Sequence, residues 1–347
     1  MVRTARVASI ATAVPGPMDQ QALWDGYFSR HYAGSKLAER VWQSSGVVTR
    51  HGAVDPLVED VSEWGTGQRM RRFVTEAIPL GKDAVSTALA KAGVDAADVG
   101  LFAVVSCTGY ATPGLDILLA RDLGMPAGVQ RLFVGHMGCY AAIPGLSTVA
   151  DAVVARGLTA VLLCIELPSL HVQPATDEAQ QMVAHALFSD AATAVVLTPA
   201  APGLEVVDTV ARTDVDHHTY MTWDVTDLGF RMGLSPKVPD ILAKHVRSVT
   251  EDLLAAHGVT IADVRGWAIH PGGPRILDVV RDNLGIDESE LAASRDTLRD
   301  YGNCSSPTVL IALDELRRRR SFAPGDHVVT MAFGPGLTLY ATLLRQA

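Results

Sequence analysis

Cys139, His270 and Asn303 lie far apart in the chain, each inside a distinctive short motif. Cys139 sits in Val134-Gly-His-Met-Gly-Cys-Tyr-Ala-Ala, between an apolar run and the helical pattern Ala141–Arg156. Gly135 and Gly138 permit a sharp strand-to-helix turn there, and the helix start directs its positive end at the sulfur. That field, together with a nearby imidazolium, favours thiolate. His270 closes the apolar run Gly266-Trp-Ala-Ile-His and opens into Pro271-Gly-Gly-Pro, where backbone can approach a ligand closely. Asn303, in Tyr301-Gly-Asn-Cys-Ser-Ser-Pro, stands just before a further helix. Capping explains Ser305 or Ser306 followed by Pro307, but it does not explain Gly302-Asn303. A thiol at a helix start, with a histidine and an amide at strand ends, suits thioester chemistry.

The elements needed to bring these groups together are legible as an alternating pattern. Strand-like runs at Val7–Val14, Leu101–Ser106, Leu132–Val134, Ala160–Ile165 and Ala191–Leu197 are interleaved with helical patterns at Asp19–Ala33, Lys36–Ser44, Leu80–Ala92, Asp116–Leu123 and Ala141–Arg156. Beyond Pro199–Pro202 the alternation restarts, with strands Leu204–Arg212, Trp267–His270, His327–Phe333 and Thr338–Leu344 and helices Val238–His257, Pro274–Leu284 and Pro307–Arg319. This predicts an α/β fold in two comparable halves, 1–202 carrying the cysteine and 203–347 carrying the histidine and asparagine. Gly334-Pro335-Gly336 reads either as a plain hairpin turn or as a loop whose backbone N–H groups face a reacting carbonyl.

Composition removes several classes of function. At 347 residues and 48% hydrophobic, the chain can bury a large core. A net charge of −9 without a basic stripe gives little electrostatic support for nucleic acid or an anionic membrane. The basic run Arg317–Arg320 reads as a helix C-terminus complementing its dipole. The 4 cysteines, Cys107, Cys139, Cys164 and Cys304, lack metal-type spacing and make no disulfide scaffold, so a reduced cytoplasmic setting is the default. The first residues read as an opening strand rather than a signal peptide, because Pro15 cuts a short apolar stretch. No run approaches the roughly 18 apolar residues of a membrane span.

Taken together, the motifs resemble the type III polyketide synthases, the chalcone synthase superfamily, in their bacterial form and over essentially the whole chain. Cys139 matches the family nucleophile, His270 in Trp267-Ala-Ile-His-Pro-Gly-Gly-Pro its histidine, and Asn303 in Tyr-Gly-Asn-Cys-Ser-Ser its asparagine. Leu187-Phe188-Ser-Asp resembles the segment holding the gatekeeper phenylalanine, and Ala332-Phe-Gly-Pro-Gly-Leu337 the closing glycine-rich motif. The resemblance implies a thiolase fold of two related α/β halves in a five-layered αβαβα arrangement, and a homodimer. It also implies an acyl-CoA starter and malonyl-CoA (or a substituted malonyl-CoA) as extender, with no metal and no organic cofactor. Thiolate Cys139 paired with protonated His270 would take the starter. His270 and Asn303 would then hold the extender's thioester oxygen during decarboxylation.

Departures from the family pattern bear on product. Trp223 falls where plant enzymes carry a small glycine in the chamber, and Met232 where they carry a second gate phenylalanine. Cys107 and Thr108 fall at starter-pocket positions, Ser305 at a chamber serine, and Thr112 where the family inserts a residue into the neighbouring subunit. Arg40, Gly272 and Gly273 match positions that bind CoA, while Leu37 and Ser44 stand at lysine positions, which leaves an acyl-carrier-protein donor open. The rival readings are a ketoacyl-ACP synthase III-like single condensation, a papain-like thiol hydrolase and a non-catalytic acyl-CoA-binding protein.

Overall fold

A computed structural model describes residues 3–347. Nine strands form one hydrogen-bonded series: β1 (Arg6–Ala13), β2 (Val99–Val105), β3 (Gln130–Val134), β4 (Thr159–Glu166), β5 (Ala191–Thr198), β6 (Leu204–Thr213), β7 (Val264–Ile269), β8 (His327–Gly334) and β9 (Thr338–Gln346), in the order β7-β8-β9-β6-β1-β5-β4-β2-β3. The order repeats itself. In the first half β1 pairs antiparallel with β5, β5 antiparallel with β4, and β4 parallel with β2. In the second, β6 pairs antiparallel with β9, β9 antiparallel with β8, and β8 parallel with β7. Only β3 has no counterpart among the described residues. The two series meet where β1 touches β6, at Arg6↔Glu205 and Val7↔Leu204.

Helices complete five layers. Helix Thr66–Ala92 packs on β1, β5 and β4, and helix Val238–Ala255 on β6 and β9, forming the outer layers. Helices Ala142–Arg156 and Pro307–Arg319 each touch strands of both halves and fill the middle. The thiolase fold is therefore present, with these two helices packed in its centre. By length and composition, Gly138–Arg156 could cross a membrane. Its apolar surface is covered by strands instead.

Two expectations change. The helix expected from Leu80 begins at Thr66 and runs through Pro79. Proline removes one backbone bond, but burial of Phe73, Ala77, Ala84, Val85, Ala88 and Leu89 along one face holds the helix across it. Helix Ala179–Leu187, which leads into Phe188, was absent from the sequence pattern. Its face buries Gln181 and His185 as well as apolar residues, which blurs the periodicity.

Candidate active site

The three chemical groups converge. Cys139 occupies a single tight turn, Gly138–Tyr140, directly before helix Ala142–Arg156. Gly138 has φ +73°, and a Cβ there would sit 2.7 Å from Pro335 Cδ. The Gly334-Pro335-Gly336 loop is thus pressed beneath the nucleophile turn. Its Gly336 N–H is taken by Met221 O at 3.1 Å, so it does not face a reacting carbonyl as one reading had it.

His270 follows β7, its N–H bonded to Met331 O at 2.8 Å and its own carbonyl accepting from Gly272 N at 3.0 Å. Neither ring nitrogen has a hydrogen-bond partner among the described residues, although both are buried. Asn303 does not end a strand. It stands between helices Ala292–Tyr301 and Pro307–Arg319 and forms an isolated parallel bridge with Phe188. Asn303 N donates to Leu187 O (2.8 Å) and Ser189 N to Asn303 O (3.0 Å). Its Oδ1 accepts from Ser305 N at 2.8 Å, which fixes the amide and leaves Nδ2 to donate toward the site. Ser305 pays for this turn with φ +56°.

Cys139, His270 and Asn303 all line one cavity of about 470 Å³, together with Phe188, Met232, Gly272, Gly273 and Arg275. A second void behind it is far smaller, about 10 Å³, bounded by Cys107, Thr108, Cys139, Phe188, Trp223, Met232 and Ser305. That is about one water probe. The indole of Trp223 fills the space, held by its Nε1 donating to Cys107 O at 2.8 Å.

Burial works against the expected ion pair. Burial pushes the Cys139 thiol up to about 12; the Ser305 hydroxyl opposes this, the Glu166 carboxylate adds to it, and the Asn303 amide opposes it. Burial alone pulls His270 down to about 3. In the free protein burial thus favours the neutral form of both groups, because neither charge is solvated and the desolvation exceeds the opposing hydrogen bonds. A neutral imidazole still offers one N–H donor and one acceptor.

Other sites divide. Arg40 does not line the cavity: its Nε donates to Lys36 O at 3.4 Å, while Val41 and Ser44, farther along, do line it. Thr112 is exposed in a surface loop and lines none of these cavities in its own chain. Cys164 and Cys304 are core residues. Sequence reasoning missed two groups. Arg275, in the first turn of helix Pro274–Leu284, is exposed at the cavity and makes no ion pair among the described residues. Glu166, fully buried, accepts from Thr108 Oγ1 (2.6 Å), Ser306 Oγ (2.8 Å) and Cys107 N (3.0 Å), and burial raises its pKa. Each left a signal: a cation in a helix's first turn opposes the dipole, and Glu166 ends an otherwise apolar run.

The chain is similar to known proteins along its length. The N-terminal domain of chalcone and stilbene synthases matches residues 3–202, and the C-terminal domain residues 211–347. A 1,3,6,8-tetrahydroxynaphthalene synthase of Streptomyces peucetius subsp. caesius is 34% identical over 99% of this chain and 93% of its own length. The alpha-pyrone synthesis polyketide synthase-like Pks18 of Mycobacterium tuberculosis is 33% identical over 88% of this chain and 81% of its own. Among solved structures, PKS-I from the brown alga Ectocarpus siliculosus superposes with a TM-score of 0.93 at 29% identity, covering 100% of this chain and 99% of the other.

Proposed function

We propose, for a chain that belongs to the chalcone and stilbene synthase family of type III polyketide synthases, that Cys139 carries the growing acyl group while His270 and Asn303 serve the extender. The enzyme is an acyltransferase that condenses an acyl starter with malonyl-CoA units by decarboxylation and cyclises the product, using CoA thioesters and no other cofactor.

In this reading the starter thioester enters the 470 Å³ cavity. The Cys139 proton moves to His270 as sulfur attacks the carbonyl and stays there as an N–H donor, while CoA leaves as a thiolate that solvent protonates. Malonyl-CoA follows, its thioester oxygen accepting from His270 and from Asn303 Nδ2. Loss of CO2 leaves its electron pair as an enolate against those two donors. The enolate carbon attacks the acyl carbonyl on Cys139, the C–S bond breaks, the sulfur recovers its proton from His270, and the lengthened β-ketoacyl chain leaves on CoA.

One arrangement supports this: three buried groups on a single cavity, with the Asn303 carbonyl already bonded and its amide N–H free to donate. Arg275 would contact the donor's phosphates at that cavity, in place of the basic residues lacking at Leu37 and Ser44, with Gly272 and Gly273 alongside; a CoA donor rather than a carrier protein goes with the family. The nearly closed void around Trp223 favours few extensions, and this keeps a single condensation as the second reading.

The halves 1–202 and 203–347 are read as the two units, each delivering one helix to the centre. A homodimer would use the open edge strand β3, where Phe133 is exposed and Leu132 and Val134 are half-buried. Thr112 would then reach the partner. Four unpaired cysteines agree with a cytoplasmic location.

The test is mass spectrometry of the acyl-enzyme. The adduct is expected on Cys139 and lost in Cys139→Ala; an adduct on Cys107 or Cys164 overturns the assignment. Asn303→Ala should lower malonyl-CoA decarboxylation by about 10²–10³-fold, with a much smaller effect on starter loading. Equal loss of both steps removes the division of labour.

A further inference from the structure

Arg50 is buried and, among the described residues, has no carboxylate in ion-pair contact, Asp190 acting on it only at longer range. Four of its five N–H donors are used on one helix end and one amide. Nη1 donates to His185 O (2.7 Å) and Phe188 O (3.1 Å), Nη2 to Ala186 O (2.8 Å), and Nε to Gln20 Oε1 (2.7 Å). Gln20 Nε2 donates in turn to Ala186 O at 3.0 Å, and the guanidinium lies over the Trp42 ring at 4.9 Å. The carbonyls belong to the last turn of helix Ala179–Leu187 and to Phe188 just beyond it. A cation suits the negative end of a helix, and the planar fork fixes several carbonyls at once, which a lysine cannot do.

Desolvation makes this an expensive way to cap a nine-residue helix: burial lowers the Arg50 pKa to about 9, leaving it charged at neutral pH. Any of several apolar side chains could fill the same volume at lower cost. What the arginine adds is location. The backbone it holds is the backbone that bridges to Asn303, through Asn303 N to Leu187 O and Ser189 N to Asn303 O. The far side of the same segment carries Phe188 into the cavity.

We propose that Arg50, oriented by Gln20, is a positioning residue that sets the gate Phe188 and the oxyanion donor Asn303 together, and so governs extension rather than starter loading. This rests on the reading of Cys139 and Asn303 given above. The two steps separate because loading needs Cys139 and His270, which sit on segments that Arg50 does not touch. Decarboxylation needs the Asn303 amide, and a displacement of about 1 Å in such a group can cost about 100-fold.

The test compares Arg50→Lys, which keeps charge but loses the fork, with Gln20→Met, which leaves the arginine and removes one of its anchors. Single-turnover acyl transfer to Cys139 and malonyl-CoA decarboxylation are both measured, with circular dichroism and a thermal melt as folding controls. Loading within about twofold of wild type, and decarboxylation down about 10- to 100-fold in Arg50→Lys and less in Gln20→Met, is the expected result. Equal loss of both steps in folded protein, or no loss of either, overturns the proposal. If Arg50→Lys does not fold, the split in Gln20→Met decides alone. Cys139→Ala and Asn303→Ala run in parallel: if they do not abolish loading and decarboxylation respectively, it is the underlying reading that fails, whatever the Arg50 variants do.

Discussion

Replacing Trp223 with glycine should convert the void of about 10 Å³ behind Cys139 into a usable chamber. The side chain removed has about ten non-hydrogen atoms, and each ketide unit adds about three, so at interior packing density the space admits about three further units. The cost is also calculable. Truncating a buried tryptophan costs about 3–5 kcal/mol. Trp223 is only half-buried, which lowers that figure, while its lost bond leaves the Cys107 carbonyl unpaired, which raises it. A net of about 3 kcal/mol, against an unfolding entropy of about 2.1 cal/mol/K for each of 347 residues, lowers Tm by about 4 °C. The assay is liquid chromatography with mass detection after incubation with malonyl-CoA and a panel of aliphatic and aromatic starters, beside a melting curve. Longer products with a modest fall in Tm are expected. A fall in Tm with an unchanged product profile would mean that the indole was removed and the space behind it never held substrate.

Three further outcomes follow from the site and the open sheet edge. With the thiol near 12 and the imidazole near 3, iodoacetamide should modify Cys139 slowly at pH 7, the rate climbing about tenfold per pH unit through pH 9, because only thiolate reacts and the raised pKa keeps the proton on sulfur. A plateau reached below pH 7 would restore the ion pair. Arg275→Glu should raise KM for malonyl-CoA about tenfold at low salt and less at high salt, with kcat nearly unchanged; an unaltered KM at low salt would remove Arg275 from donor binding. Phe133→Glu should shift the sedimenting species toward monomer, and a wild-type monomer at micromolar concentration would end the dimer reading.

Much of the site was readable from residue types because its members announce themselves locally. Glycines at 135, 138, 272, 273 and 302 mark places where backbone must turn or come close, and helices Pro274–Leu284 and Pro307–Arg319 start at their prolines as capping rules require. Relations between segments were not readable. The bridge between Phe188 and Asn303, the embrace of Glu166 by Thr108 and Ser306, and the clamp of Arg50 on helix Ala179–Leu187 all join residues more than a hundred positions apart or packed in three dimensions only. Ionisation was hard to read for the same reason: a helix start is visible in sequence, whereas the depth of burial that opposes it is not. Arg40 shows the converse, since its place in a motif was clear while its direction was set by the turn of a short helix.

The two central helices bring their leading ends to one point, one just after Cys139 and the other just after Ser306. Each end contributes a fraction of a positive charge that belongs to the backbone, about half an elementary charge apiece. Such a field cannot be titrated, chelated or mutated away by changing one side chain. An anion formed between them, whether on sulfur or on an enolate oxygen, is stabilised by that field to the same extent at every pH where the chain stays folded, while the protons on Cys139 and His270 still set when the anion can form.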